Sequence, residues 1–270
     1  MTEVVERWSE RVVRVLAPNP SPMTLEGTNT FVVGEPGADA VVVIDPGPAD
    51  GAHEQRVLEA CAGRRVELVL LTHAHHDHAE GAPGLARRAV APLAALHPAW
   101  RGPGAPPLVP GRQLVAGGLA LVPVPTPGHS ADHCCFLLAA ERAMFTGDHI
   151  LGRGSTVVEW PSGDMGHYLR SLSALLDYDL ERLYPGHGPL VDDAEAKIDE
   201  YLDHRHQRER QVLDALAGGD RTPAEVVARV YADVDPALHA AAELSVRAHL
   251  VKLVREERVK AVGDGYEPIP

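Results

Sequence analysis

At 270 residues, with 45% hydrophobic and 23% charged residues, the chain has the make-up of a globular protein, which excludes a disordered one and leaves room for one large domain with a small companion. No apolar run approaches the roughly 18 residues that span a bilayer. The acidic start Met1-Thr2-Glu3-Val4-Val5-Glu6 lacks the basic-then-apolar layout of a secretion signal, so the expected compartment is the cytoplasm, with no membrane partner. The net charge of -13 argues against broad nonspecific binding to nucleic acid, and three cysteines (Cys61, Cys134, Cys135) are too few for a disulfide framework.

Hydropathy predicts strands over 11–16, 28–34 and 40–45, the last an unbroken apolar run of the kind buried on both faces. A helix over 52–63 and a strand over 66–71 complete a crossover unit, and a helix near 79–89 follows. Pro- and Gly-rich loops fill 98–111. Short strands are expected near 112–115, 118–124, 133–139 and 142–146, then a helix over 164–176 and a strand over 181–184. Beyond 193 the pattern turns helical: 194–217, a short helix after the Thr222-Pro223-Ala224-Glu225 start signal, and 236–257. A hairpin around Gly263-Asp264-Gly265 ends the chain. This divides the protein into a domain over 1–193 and a winged-helix-like domain over 194–270.

The chemistry concentrates in Thr72-His73-Ala74-His75-His76-Asp77-His78, directly after a predicted strand. A lone H-x-H reads as solvated histidines. The complete H-x-H-x-D-H on a tight loop gathers His73, His75, Asp77 and His78, imidazoles and a carboxylate of the kind that bind zinc-class ions. His129 in Pro127-Gly128-His129, Asp148 in Gly147-Asp148 and His187 in Pro185-Gly186-His187 each follow a predicted strand beside a glycine, so several strand ends could converge on one sheet edge. Asp45, also at a strand end, is expected to hold a ligand histidine or its loop. His76, His133 and His149 stand beside these residues without ligating.

These motifs resemble the metallo-beta-lactamase superfamily over about 11–192. The resemblance implies an α+β fold, an αββα sandwich with its site at the sheet edges. It implies that His73, His75 and His129 hold one ion, Asp77, His78 and His187 a second, and that Asp148 bridges them. The ions would be two Zn2+, with Mn2+ or Fe2+ as alternatives. A closer resemblance, to the beta-lactamase-like protein 2 family, rests on residues 19–30, Gly147-Asp148-His149-Ile150-Leu151-Gly152, Tyr184-Pro185-Gly186-His187-Gly188-Pro189 and Ala194-Glu195-Ala196-Lys197-Ile198, and on the winged-helix-like tail. It places Thr28 and Asn29 near the site, as substrate contacts or supports; Tyr168 is a weaker candidate for the pocket wall.

The implied activity is hydrolysis by a metal-bridging hydroxide, with Asp77 orienting the nucleophile and shuttling a proton as well as binding metal. The named family includes single-strand endoribonucleases, so single-stranded RNA is one expected substrate. Against it, aromatics make up only 4% of the chain and arginines of the tail are interleaved with acids. A thioester, as in glyoxalase II and polyketide-pathway thioesterases, is the alternative. A true beta-lactamase fits poorly, because His78 and Asp148 stand where those enzymes differ, and a non-catalytic metal module fits poorly because seven shared ligands suit an open dinuclear site. Oligomeric state is left open.

Overall fold

The computed structural model describes residues 3–269; Met1 and Thr2 of the acidic start lie outside the described residues. The chain divides into two compact units, one formed by 1–126, 132–154 and 179–195, the other by 127–131, 155–178 and 196–270.

The first unit begins with strands β1 (Val5–Arg7), β2 (Val12–Leu16), β3 (Asn29–Val33) and β4 (Ala40–Ile44), paired antiparallel in that order. Helix α1 (Gly51–Ala60) starts at Asp50, whose carboxylate accepts the His53 N–H at 2.6 Å, and carries the chain over to β5 (Arg65–Leu70), parallel to β4. Two helices follow, α2 (His76–Ala79) and α3 (Ala82–Ala89), before the two-residue β6 (Leu93–Ala94), parallel to β5. The sequence pattern reads one helix near 79–89. The chain instead breaks at Gly81, whose N–H donates to the Gly47 carbonyl at 2.8 Å and whose Cα lies too close to the Pro48 carbonyl for a side chain. Strands β1 and β6 were not expected, because two or three residues are too few to show a period.

A second, five-stranded sheet holds β7 (Leu114–Ala116), β8 (Leu119–Pro125), β9 (Cys134–Leu138), β10 (Ala143–Gly147) and β11 (Arg182–Pro185), ordered β11-β10-β9-β8-β7. Alternate residues of both sheets share one core, including Val12, Phe31, Val42 and Ile44 from the first and Leu121, Phe136, Phe145 and Tyr184 from the second. Edge-on packing of Phe31 on Phe145, 5.1 Å between centroids, fixes the sheet spacing locally. The other face of the first sheet packs Val41, Val43 and Val69 against Val57 of α1 and Leu85 of α3. Strand β4 is therefore buried on both faces, as its unbroken apolar run requires. Cys134 and Cys135 are fully buried small residues within β9, and burial pushes both thiols up.

In the second unit, α4 (Met165–Leu175) is capped by Asp164, whose carboxylate accepts the His167 N–H at 2.8 Å. Helices α5 (Ala194–Ala217), α6 (Pro223–Val230) and α7 (His239–Arg255) precede the hairpin of β12 (Val259–Val262) and β13 (Gly265–Pro268). Thr222 and Glu225 form a reciprocal capping box on α6. Leu216, Val226, Val246, Leu250 and Val259 form the core of this helix–hairpin module.

Glu209 on α5 joins that core to charge. It accepts Lys252 Nζ at 2.6 Å and Arg258 Nη1 at 2.7 Å. Burial pushes its carboxyl up, but His249 and Lys252 outweigh burial and hold it at about 2. The folded value lies below the unfolded one, so this stabilisation is complete above about pH 4.5 and is lost as pH falls toward 2. Glu209→Gln is therefore expected to lower stability at neutral pH by at most about 3 kcal/mol. In thermal melts, the gap between variant and wild type should close across that acid window; a gap unchanged by acid would show that the ion pair does not carry it.

Candidate metal centre

Strand ends deliver the site. Parallel β4 and β5 finish side by side, with the Asp45 N–H on the Leu70 carbonyl at 3.0 Å. Asp45 follows β4 in a left-handed conformation, φ 51°, which turns its carboxylate back toward the end of β5. There Oδ1 accepts the Thr72 N–H at 2.8 Å, Oδ2 accepts the Thr72 hydroxyl at 2.7 Å, and Oδ2 lies 2.9 Å from His78 Nδ1. One buried carboxylate thus fixes both the start and the end of the histidine loop.

From that loop, His73 and His75 offer donor atoms within 4.8 Å of each other and of Asp148, which follows β10. Asp77, His78 and His187, the last on the loop after β11, form a second such group. Asp148 Oδ1 stands 3.2 Å from His78 Nε2 and 3.3 Å from His187 Nε2, so this carboxylate belongs to the surroundings of both groups. Asp77 Oδ2 is 3.1 Å from His187 Nε2 and 3.5 Å from His78 Nε2. His129 lies on the 127–131 turn of the second unit, where its Nδ1 is 2.7 Å from the Val157 carbonyl, which leaves Nε2 as its donor atom. His76 is exposed and belongs to neither group.

The glycines beside these residues are steric requirements. A Cβ on Gly186 would lie 2.7 Å from His78 Cε1 and 2.9 Å from Asp148 Oδ1. One on Gly147 would meet the Thr72 hydroxyl at 2.5 Å. Ligands on separate loops can converge only where the backbone between them carries no side chain.

Thr28 and Asn29 are fully buried supports of the His187 loop. Asn29 donates Nδ2 to the Pro185 and Gly188 carbonyls, both at 2.9 Å, and Thr28 forms a bridge with His187. The Gly27 carbonyl lies 3.1 Å from His187 Nδ1. Tyr168 is fully buried in the second unit; its backbone leaves no room for a side chain on Gly128, and the Arg205 guanidinium lies 5.1 Å from its ring centre. Sequence reasoning missed Thr72 and the Thr126–His133 pair. His133 Nε2 accepts the Asp148 N–H at 3.2 Å, so its Nδ1 carries the proton and donates to the Thr126 hydroxyl at 2.8 Å. The strand-end position of Thr72 beside His73 was the available signal for the first; nothing local marked the second.

The donor set fits divalent cations. Gly27 O can only accept, so His187 keeps its proton on Nδ1 and turns the Nε2 lone pair inward, and Asp45 does the same for His78. The two Nε2 atoms then face each other at 3.2 Å beside two carboxylates, and only protons or cations can reconcile them. Without metal the protons win. Burial pushes His187 down, but Asp148 and Asp77 outweigh burial and lift it to about 9. His78 is likewise raised despite burial, by Asp148, Asp77 and Asp45, while both histidines hold Asp77 and Asp148 below the ordinary carboxylate range against the opposing effect of burial.

Residues 23–187 match the metallo-beta-lactamase superfamily, and 222–267 match the beta-lactamase associated winged helix domain. The chain is 34% identical to a beta-lactamase-like protein 2 homolog of Caenorhabditis elegans, over 94% of this chain and 88% of that protein. It is 38% identical to an atrochrysone carboxyl ACP thioesterase of Aspergillus fumigatus, over 84% and 75% of the respective chains. A metallo-beta-lactamase family protein of Thermus thermophilus shares the fold, with a TM-score of 0.81 at 21% identity over 97% of this chain and all of that one. The chain belongs to the metallo-beta-lactamase superfamily. It is a metal-dependent hydrolase with an α+β fold and a C-terminal winged helix domain, and no helix among the described residues is long and apolar enough to cross a membrane.

Two outcomes follow for the metal. A divalent ion bound through His187 Nε2 would have to displace a proton held up to about pH 9, so the affinity for zinc, used as the probe ion against a competing chelator, should rise about tenfold per pH unit for each proton displaced between pH 6 and 8. A flat profile would mean that the imidazoles are neutral before metal arrives. Asp45→Asn removes the acceptor that orients His78 and should weaken zinc binding about 10- to 100-fold while the chain stays folded by circular dichroism.

Proposed function

We propose that the protein is a dinuclear zinc hydrolase of acyl thioesters. In this reading His73, His75 and His129 hold one ion, Asp77, His78 and His187 the other, and Asp148 serves both; residues 1–193 carry the chemistry and 194–270 form an accessory domain. The observation that carries the dinuclear part is the position of Asp148 Oδ1 among donors of both groups. Support for a thioester comes from the 38% identity to a thioesterase over most of the chain. Single-stranded RNA is the second reading, favoured by the likeness to a beta-lactamase-like protein 2 homolog. The net charge of -13 weighs against a polyanionic substrate.

Bound divalent ions would supply Lewis acidity, making water a nucleophile near neutral pH and drawing charge from the substrate's carbonyl oxygen. The chain's own residues do the rest. Asp45 and the Gly27 carbonyl hold the His78 and His187 rings with Nε2 inward, so no reorientation is needed during turnover. His133 takes the Asp148 N–H and keeps that loop in place. Asp77 is only partly buried, with a side chain 28% exposed, and His78 and His187 favour its ionised form. An ionised carboxylate open to solvent can accept a proton from the attacking water and pass it to the leaving thiolate.

Asp77→Asn is expected to lower kcat for an N-acetylcysteamine thioester at least 100-fold, beyond what any fall in measured zinc occupancy explains. Full turnover at full occupancy would remove Asp77 from the proton path. His73→Ala should abolish turnover. If the zinc-loaded wild type cleaves labelled single-stranded RNA and spares thioesters, the second reading replaces the first.

A further inference from the structure

The first unit contains a cavity of about 370 Å³ whose walls include none of the seven ligand residues, near the lower end of the range for small-molecule sites. Arg14 lines it, from the middle of β2, opposite Phe31 on β3 and Glu6 on β1. It shares the inward face of the sheet with Val12, and its side chain is only 3% exposed. A guanidinium in that position is tolerated only if its donors are met. Nη2 donates to Glu6 Oε2 at 2.5 Å, and the cation lies 5.5 Å from the Trp8 ring centre. Nε and Nη1 are buried and have no hydrogen-bond partner among the described residues. Such donors call for an acceptor.

The other walls describe that acceptor. Arg7 and Arg153 stand at the rim, the latter 2.6 Å from Glu26. Three guanidiniums against the two carboxylates of Glu6 and Glu26 leave one positive charge, on a chain whose net charge is -13. Trp8, Leu16, Pro189 and Leu190 supply apolar wall. One surplus positive charge suits a monoanion better than a phosphate dianion, and the apolar wall suits a ligand with an apolar body.

We propose that this cavity binds a small organic monoanion, a carboxylate on an apolar body, with Arg14 taking the carboxylate and Trp8, Leu16 and Leu190 packing the body. Asn29 also lines the cavity while holding the Pro185 and Gly188 carbonyls, so the ligand would lie against the support of the His187 loop.

Isothermal titration of the full-length, zinc-loaded protein with benzoate tests this. Benzoate should bind, its neutral counterpart benzamide at least tenfold more weakly, and inorganic phosphate more weakly than benzoate. Arg14→Lys keeps the charge but removes the unpaired Nε and Nη1 donors, and should weaken benzoate at least tenfold. Arg153→Gln, at the exposed rim, should weaken it several-fold and settles the matter if Arg14→Lys does not fold. No benzoate binding, equal binding of benzamide, tighter binding of phosphate, or benzoate binding that the folded arginine variants leave unchanged would overturn the proposal; the last would place benzoate elsewhere on the protein.

Discussion

The site depends first on one buried carboxylate. Asp45 is 1% exposed, and its buried oxygens are met by three donors: the Thr72 N–H, the Thr72 hydroxyl and His78 Nδ1. The parallel pairing of β4 and β5 places the two strand ends next to each other, and the left-handed turn at Asp45 aims the side chain across the gap. What a sheet cannot do unaided is hold a post-strand loop rigid. The carboxylate does so at two points, at Thr72 just before His73 and at His78 at the loop's end.

The same economy recurs around the other ligands. His187 is held by a backbone carbonyl and by a loop that Asn29 pins at two carbonyls. Asp148 is held through its N–H by His133 Nε2, which leaves the proton on His133 Nδ1, where it donates to the Thr126 hydroxyl. In each case the candidate metal-binding group is separated by one hydrogen bond from a polar group beside the end of another strand. Rigid strands thus carry the precision and the loops carry the donors. The electrostatic result is a pocket in which acids and imidazoles stabilise each other's charged forms until a cation replaces the protons.

Much of this was legible in the sequence because the signals were local. The H-x-H-x-D-H run and the glycine beside Asp148 and beside His187 mark strand-end residues that the fold brings together, and Asp45 at the end of an apolar run marks a buried support. The roles of Thr28 and Asn29 were legible only as a neighbourhood: their partners, His187 and its loop, lie about 160 residues away in sequence, with Asn29 reaching Gly188 across 159. The Thr126–His133 pair carries no motif at all. The burial of Arg14 has no sequence signal, since an arginine in an alternating strand ordinarily faces solvent, whereas here both faces of β2 are covered and no local pattern says so.

That last case bears on how to read buried charge in this protein. Asp45, Glu209 and Arg14 are all buried ionisable groups, and two of them are fully accounted for: Asp45 by three donors within one loop system, Glu209 by Lys252 and Arg258. Both accounts are internal, so both groups serve the fold. Arg14 differs, since one carboxylate and one aromatic face leave two of its nitrogens unmet, and it does so at the wall of a cavity. Packing alone does not need an arginine at that place, where a leucine would extend the core of Val12 and Phe31 at no electrostatic penalty. The difference between Arg14 and the other two is the physical reason to look for its missing partner outside the chain.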